Sequence, residues 1–272
     1  MDSLYKFILR RPFFRGQDRF FNYLFSHSKL GRQTVTVKPL EGNFKINCNP
    51  LTLIGAKIIY TGDYEPSLKK IFRSVIKKGN HVLDVGANIG FHSLYFAELV
   101  GRNGIVTCFE PVPVNYRALS ANIEINKAQN IITKNIALGT QNETITIRAD
   151  ENSDNPGAYN LFDKQGNVTI ECRIGDGIVL EKERVDFIKI DVEGYESFVI
   201  KGLIKTITKH KPIIIFEYDR YYHKKTNLPE DYIFLMLGEL GYTFQYILNN
   251  RLQDITSFQE IKSANILALP NA

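Results

Sequence analysis

Eleven residues, His81-Val82-Leu83-Asp84-Val85-Gly86-Ala87-Asn88-Ile89-Gly90-Phe91, constrain this chain more than any others. An apolar run ends in an acid, two glycines follow four positions apart, and helical periodicity then begins. That pattern turns a parallel strand sharply into a helix and leaves bare backbone at the bend, where a ligand can approach closely. A dinucleotide site needs Gly-x-Gly-x-x-Gly to seat a pyrophosphate on the helix N-terminus. Here Ala87 follows Gly86, one glycine of the three is missing, and Asp84 precedes the bend. A carboxylate there repels phosphate and suits a cation or an ammonium group. S-adenosylmethionine carries both an ammonium and a sulfonium, and the bend is expected to bind it.

From residue 81 onward, strand and helix patterns alternate. Strands are expected at 81–85, 105–109, 131–136, 186–191, 212–217, 242–247 and 264–269, with helices at about 90–100, 113–127, 195–209 and 230–240. Such alternation predicts a mostly parallel sheet with helices on both faces. Only a loop around Asn249-Asn250 joins the last two strands, which predicts an antiparallel hairpin at the sheet edge. Upstream, residues 34–62 read as short strands, and Tyr64-Glu65-Pro66 opens a helix running to about Lys78. Two further strand patterns, 143–148 and 168–173, flank a polar loop at 150–157 that is either a substrate loop or a solvated excursion. The chain divides into a lead-in over 1–62 and an α/β domain over 63–272.

In open α/β sheets ligands bind outside the carboxyl ends of the strands, where strand order reverses. The first strand delivers Asp84, Gly86, Asn88 and Gly90 to that rim. The second delivers Glu110 and Pro111. Glu110 falls about 20 residues past the glycine bend, where an acid can accept both ribose hydroxyls. The fourth strand reads Asp186-Phe-Ile-Lys-Ile-Asp-Val-Glu-Gly194, and two-residue periodicity puts Lys189, Asp191 and Glu193 on one side. A lysine in an apolar strand needs a partner, and those two acids are the obvious ones. The next strand ends in Glu217. Three acids on neighbouring strand ends suggest a base, a hydroxyl clamp or a divalent-ion site. Tyr64 and Glu65 are placed to close over a cofactor. His92 and His223 are read first as satisfied surface histidines, and both are kept as secondary catalytic candidates.

Composition bounds the rest. The 272 residues are 44% hydrophobic and 23% charged, ordinary for a globular chain. No apolar run reaches the roughly 20 residues that span a bilayer, and no signal peptide is legible. Cys48, Cys108 and Cys172 are scattered with no C-x-x-C, arguing against a disulfide framework or a zinc site and for a reducing, cytoplasmic setting. Charge is uneven. Residues 1–40 hold eight Lys/Arg against two Asp, interleaved with eight aromatics that include Phe13, Phe14, Phe20, Phe21 and Phe25. One reading is a helix that docks its aromatic side on the main domain and solvates its arginines. The other is peripheral contact with an anionic membrane surface, an acidic glycan carrier or nucleic acid.

These residues together resemble the FkbM family of S-adenosylmethionine-dependent methyltransferases. The likeness runs from about Gly62 to Ala268 and rests on Tyr64-Glu65-Pro66, VLDVGANIGFHS (82–93), FEP (109–111) with Asn115 and Asn122, NIALG (135–139), DFIKIDVEGYE (186–196) and PIIIFE (212–217). Around Asp176 the chain departs from the family's usual Leu-Asp-Asp. The resemblance implies a seven-stranded, Rossmann-like class I methyltransferase fold with an antiparallel last strand, and methyl transfer to a hydroxyl oxygen, commonly of a sugar in a glycan or glycoconjugate. It implies that Asp84, Gly86, Asn88 and Gly90 hold the methionine part of the cofactor and Glu110 the ribose. The Asn135–Ala137 segment would border the adenine, and Glu65 and Pro111 are counted among the cofactor-binding residues. Asp191, Glu193 and Glu217 would line the acceptor side, with Asp191 as base. The acid cluster leaves a divalent cation as an open addition. Two rivals stand beside this reading. An RNA methyltransferase is favoured by the basic N-terminus but has no stacking motif, and nucleic acid is not the expected partner. A non-catalytic interaction module on the same fold is disfavoured by the intact glycine bend.

Overall fold

The computed structural model describes residues 2–11, 14–27, 29–147, 166–179, 184–248, 251–255 and 257–271. Two helices, α1 (Asp2–Leu9) and α2 (Gln17–Ser26), precede an antiparallel pair, β1 (Val35–Val37) and β2 (Ile46–Cys48), and then α3 (Leu53–Thr61) and α4 (Pro66–Val75). The alternating part follows as β3 (His81–Val85), α5 (Phe91–Val100), β4 (Ile105–Phe109), α6 (Pro113–Asn126) and β5 (Ile131–Lys134). Next come β6 (Ala137–Gly139), β7 (Glu143–Ile147) and β8 (Val168–Ile174), which form a separate three-stranded sheet in the order β6-β8-β7. The chain re-enters the main sheet with β9 (Phe187–Ile190), α7 (Glu196–Gly202), α8 (Ile204–His210), β10 (Ile213–Asp219), α9 (Arg220–His223) and α10 (Tyr232–Glu239). It ends with β11 (Tyr242–Leu248), β12 (Arg251–Asp254) and β13 (Ser263–Pro270).

The main sheet runs β12-β11-β13-β10-β9-β3-β4-β5. Strands β5, β4, β3, β9 and β10 pair in parallel, and β13 is antiparallel to both β10 and β11. Progress through the sheet reverses between β3 and β9, which opens a crevice at their carboxyl ends. All residues of β3 and β9 are buried, as strands covered on both faces must be. Alternation splits their side chains. Leu83, Val85, Ile188 and Ile190 join the core under α7 and α10, whereas Val82 and Phe187 join the core under α4 and α5. Asp84 and Lys189 have the parity of the second face.

Four expectations are corrected. The sheet has eight strands rather than seven. The last two expected strands do pair antiparallel, β13 on β11, but not at the very edge: β13 inserts between β10 and β11, and the short β12 takes the edge. Burial decides this, because β13 carries the buried Ile266, Leu267 and Ala268 while every residue of β12 is exposed. Residues 53–61, read as part of a strand-rich lead-in, form the helix α3. Thr52 caps it by accepting the Gly55 amide at 3.0 Å. The helix expected over 195–209 is broken in two at Gly202–Leu203, where a Cβ on Gly202 would stand 2.0 Å from the Gly139 carbonyl oxygen. The loop at 150–157 lies outside the described residues.

The lead-in shares the second core. Leu9, Phe21, Leu24, Phe44, Ile46 and Cys48 belong to the same buried cluster as Phe72, Phe96 and Val106. Asn122 explains why an asparagine stands on α6. It is fully buried, accepts the Asn47 amide at 2.8 Å and donates to the Ile89 carbonyl at 2.8 Å, tying β2 to the glycine bend.

Candidate active site

The bend after β3 is built of backbone. The Gly86 and Ala87 amides both donate to the Phe109 carbonyl, at 2.9 and 3.1 Å. Gly86 has φ +86°, and a Cβ there would fall 1.9 Å from the Asp191 carbonyl oxygen, so only glycine lets β3 and β9 close at this point. Asn88, at φ +50°, accepts the Ile89 amide on its own side chain at 2.8 Å. Gly90 then starts α5 with Leu119 close behind it.

Asp84 is fully buried. Its Oδ2 accepts a hydrogen bond from Ser93 at 2.6 Å, while its Oδ1 has no partner among the described residues. A buried carboxylate oxygen left unpaired is costly unless a donor arrives. Asp84 lines a crevice of about 710 Å³ including its mouth, together with Tyr64, Gly86, Asn88, His92 and Lys189. A second, more apolar lobe of about 520 Å³ is walled by Phe109, Pro111, Val112, Ile136, Ala137 and Leu138. Gly86, Glu110, Asp191 and Glu193 line both lobes and mark their junction.

Glu110 follows β4 at that junction. Its carboxylate accepts the Asn88 amide at 2.8 Å and the Val112 amide at 2.9 Å. Burial outweighs these bonds and raises its pKa to about 7. Asn135 lines neither lobe but braces them, donating to the Glu110 and Pro111 carbonyls at 2.8 and 3.0 Å. Glu65 is likewise set back from the wall. At φ +50° it starts α4, and its carboxylate meets His92 Nε2 at 2.9 Å. His92, one turn into α5, sits among Tyr64, Phe72, Phe91 and Phe96 and belongs to the crevice after all. His223 lies elsewhere, buried against the Pro229 carbonyl at 2.7 Å.

The acids divide into distinct electrostatic roles. Lys189 is 3% exposed and donates to Asp191 Oδ2 at 2.9 Å. Burial alone would lower its pKa, but Asp191, Asp84 and Glu65 together raise it and keep it charged. For Asp191 burial works upward, yet Lys189 and a hydrogen bond with Glu217 outweigh it and hold it below the ordinary carboxylate range. Burial, reinforced by Asp191 and Glu193, raises Glu217 to about 9. At neutral pH Glu217 therefore keeps its proton and donates it to the anionic Asp191. Glu193 is raised to about 7 by burial and by the charges of Asp191 and Asp219.

Strand alternation does not place Glu193, because β9 ends at Ile190. A turn places it, with Glu193 at φ +51° and Gly194 at φ +98°. Glu196 holds that turn by accepting the Val192 and Gly194 amides at 3.2 and 3.1 Å. Burial still raises Glu196 to about 8. Sequence reasoning quoted Glu196 within a motif and gave it no task. It also missed Leu53 and Ile54 of α3, which line the polar lobe. Asp176 stands away from the site, accepting the Lys205 and Thr206 amides at 3.0 and 2.9 Å and so capping α8.

The reversed strand order, the glycine bend, the acid after β4 and the inserted antiparallel β13 define a Rossmann-like class I methyltransferase fold. More particularly, the chain belongs to the methyltransferase FkbM domain family, whose model matches residues 84–244, over half its length. It is 28% identical over 156 residues to methyltransferase sdnD of Sordaria araneosa, a match covering 45% of this chain and 60% of that one. It is 27% identical over 134 residues to hexuronic acid methyltransferase AglP of Haloferax volcanii, covering 48% of this chain and 53% of that protein. The chain thus spans between half and two thirds of these relatives. A crystal structure of methyltransferase FkbM from Methylobacillus flagellatus KT superposes with a TM-score of 0.47 at 19% identity, covering 78% of this chain and 52% of that one.

Proposed function

We propose that this protein is an S-adenosylmethionine-dependent O-methyltransferase acting on a hydroxyl of a sugar in a glycan or glycoconjugate. The observation that carries the cofactor assignment is Asp84: a fully buried carboxylate with one oxygen unpaired, beside a bend bare of side chains. That oxygen fits an ammonium donor, and the negative charge disfavours a dinucleotide phosphate. Asp84, Gly86, Asn88 and Gly90 would hold the methionine portion, Glu110 the ribose, and Pro111 and Ala137 the adenine, with Asn135 bracing from behind. When bound, S-adenosylmethionine supplies an electrophilic methyl group on a positively charged sulfur.

The chain's own part is to align an acceptor hydroxyl and receive its proton. Asp191, expected as the base, is a weak one because Lys189 and Glu217 already satisfy its charge. Glu193 is the better proton acceptor: it lines both lobes, and its pKa of about 7 matches neutral operation. Asp191 then orients the hydroxyl as a fixed anion, and Glu217 donates to Asp191 and steadies it. Among the described residues no group of three or more His, Cys, Asp or Glu is arranged to hold a metal ion, and no step here is given to one. The sugar assignment is supported by the acid-lined rim, which suits hydroxyl donors, and by the similarity to a protein named as a hexuronic acid methyltransferase.

Isothermal titration with S-adenosylmethionine, followed by labelled methyl transfer to a panel of glycosides, uronosides and RNA, tests this reading. Binding with label appearing on a glycoside hydroxyl is the expected result. Label on RNA would transfer the assignment to nucleic acid, and absence of cofactor binding would leave a non-catalytic module.

A further inference from the structure

Helix α1 turns apolar side chains outward as well as inward. Leu9 is fully buried, yet Leu4, Phe7 and Ile8 are 55%, 68% and 37% exposed. Their spacing of three and four residues sets these three on one outward stripe of the helix. A surface helix ordinarily presents polar groups there, and an apolar stripe facing solvent marks an interaction surface. Beyond the helix, Phe14 and Tyr23 are also exposed, at 37% and 48%.

Cations accompany the apolar groups. Arg11, Arg15, Arg19 and Lys29 are all exposed. The Arg11 guanidinium lies 4.8 Å from the Phe7 ring centroid, and Lys29 Nζ lies 4.7 Å from that of Tyr23. Asp18 is paired with Lys57 at 3.2 Å and neutralises none of these arginines. The segment is firmly seated, because Arg10 donates to the Ile58 and Ile59 carbonyls of α3 at 3.2 and 2.9 Å. Among the described residues no helix is long and apolar enough to cross a membrane.

We infer that this face docks on an anionic lipid bilayer, with Leu4, Phe7 and Ile8 entering the headgroup boundary and the neighbouring arginines meeting lipid phosphates. Apolar groups flanked by arginines are the composition that lies in a membrane interface, and the excess of positive charge draws it to anionic leaflets. A second copy of the chain fits less well, since it would set two strongly basic segments against each other. Nucleic acid has no use for a leucine and an isoleucine aimed at solvent. The face rests on α3, whose Leu53 and Ile54 line the polar lobe, so docking would hold the crevice one helix away from the lipid.

Flotation of the full chain with phosphatidylcholine vesicles, with and without phosphatidylglycerol, is the test. The protein should float with the anionic vesicles at least about tenfold more than with the neutral ones at low salt. The Leu4→Ser, Phe7→Ser, Ile8→Ser triple variant should lose about tenfold of that binding while its melting temperature and S-adenosylmethionine affinity match the wild type. Charge reversal by Arg11→Glu, Arg15→Glu and Arg19→Glu should abolish the preference for phosphatidylglycerol. The inference is overturned if the wild type fails to float, if the apolar variant floats equally, or if sedimentation shows a dimer that the apolar variant dissolves.

Discussion

Glu193 and Asp191 stand two residues apart and hold their protons at quite different pH. Asp191 faces a buried lysine and a protonated glutamate, whereas Glu193 faces the anions of Asp191 and Asp219. Glu193→Gln should therefore lower kcat by about a hundredfold or more, with S-adenosylmethionine affinity preserved. The wild-type rate should rise through about pH 7 as Glu193 ionises and fall again near pH 9 as Glu217 gives up its proton; the variant's profile should lack the lower limb. Steady-state kinetics across pH with a titration of each variant checks both. Gly86→Ala, in contrast, should cost about 2 kcal/mol or more of stability, because its Cβ meets the Asp191 carbonyl oxygen and φ is positive. A urea midpoint reads that loss. Asp84, Gly86 and Glu110 were legible in sequence because strand ends and local spacing fix their places. The proton affinity of Glu193 was not, since burial sets it together with the charge of Asp219, which arrives from another strand.

Elements were read well wherever local pattern and burial agreed. β3 and β4 match the expected spans, as their apolar runs are covered on both faces. Helix α3 escaped because Ile54, Ile58, Ile59 and Thr61 are β-branched and favour strands locally. What makes it helical is non-local: burial of Ala56, Ile58, Ile59 and Tyr60, and a close approach of Gly55 to the Asn49 carbonyl oxygen that leaves no room for a Cβ. The break between α7 and α8 has the same character, since it depends on Gly202 meeting Gly139 and on a cap supplied from another segment. That cap gives a prediction at this scale. Asp176→Ala should remove about 1 kcal/mol of stability by freeing the Lys205 and Thr206 amides. The urea midpoint should fall with an unchanged slope, and cofactor affinity and kcat should not move. Loss of catalysis in that variant would mean that α8 does more than support β10.

Across the whole molecule the crevice stores unfavourable charge. Glu110 and Glu193 are raised to about 7, Glu196 to about 8 and Glu217 to about 9, each chiefly by burial. In the unfolded chain each titrates near the ordinary glutamate value of about 4.3. Between those limits the folded state binds more protons than the unfolded one, so stability must fall as pH rises. The contribution is complete below the unfolded value and is lost as pH passes through about 7 to 9. Asp191 acts oppositely, since Lys189 depresses its pKa and its contribution is lost only in acid. The melting temperature should therefore peak in mildly acidic solution and drop by on the order of 5 °C or more toward pH 9. Glu217→Gln keeps a neutral hydrogen-bond donor for Asp191 and should flatten the alkaline part of that curve. Calorimetry of both proteins from pH 5 to 9 decides the matter. An equal slope in the two would mean that Glu217 is already ionised in the folded protein, and Asp191 would then lose the donor that keeps it a fixed anion beside the acceptor.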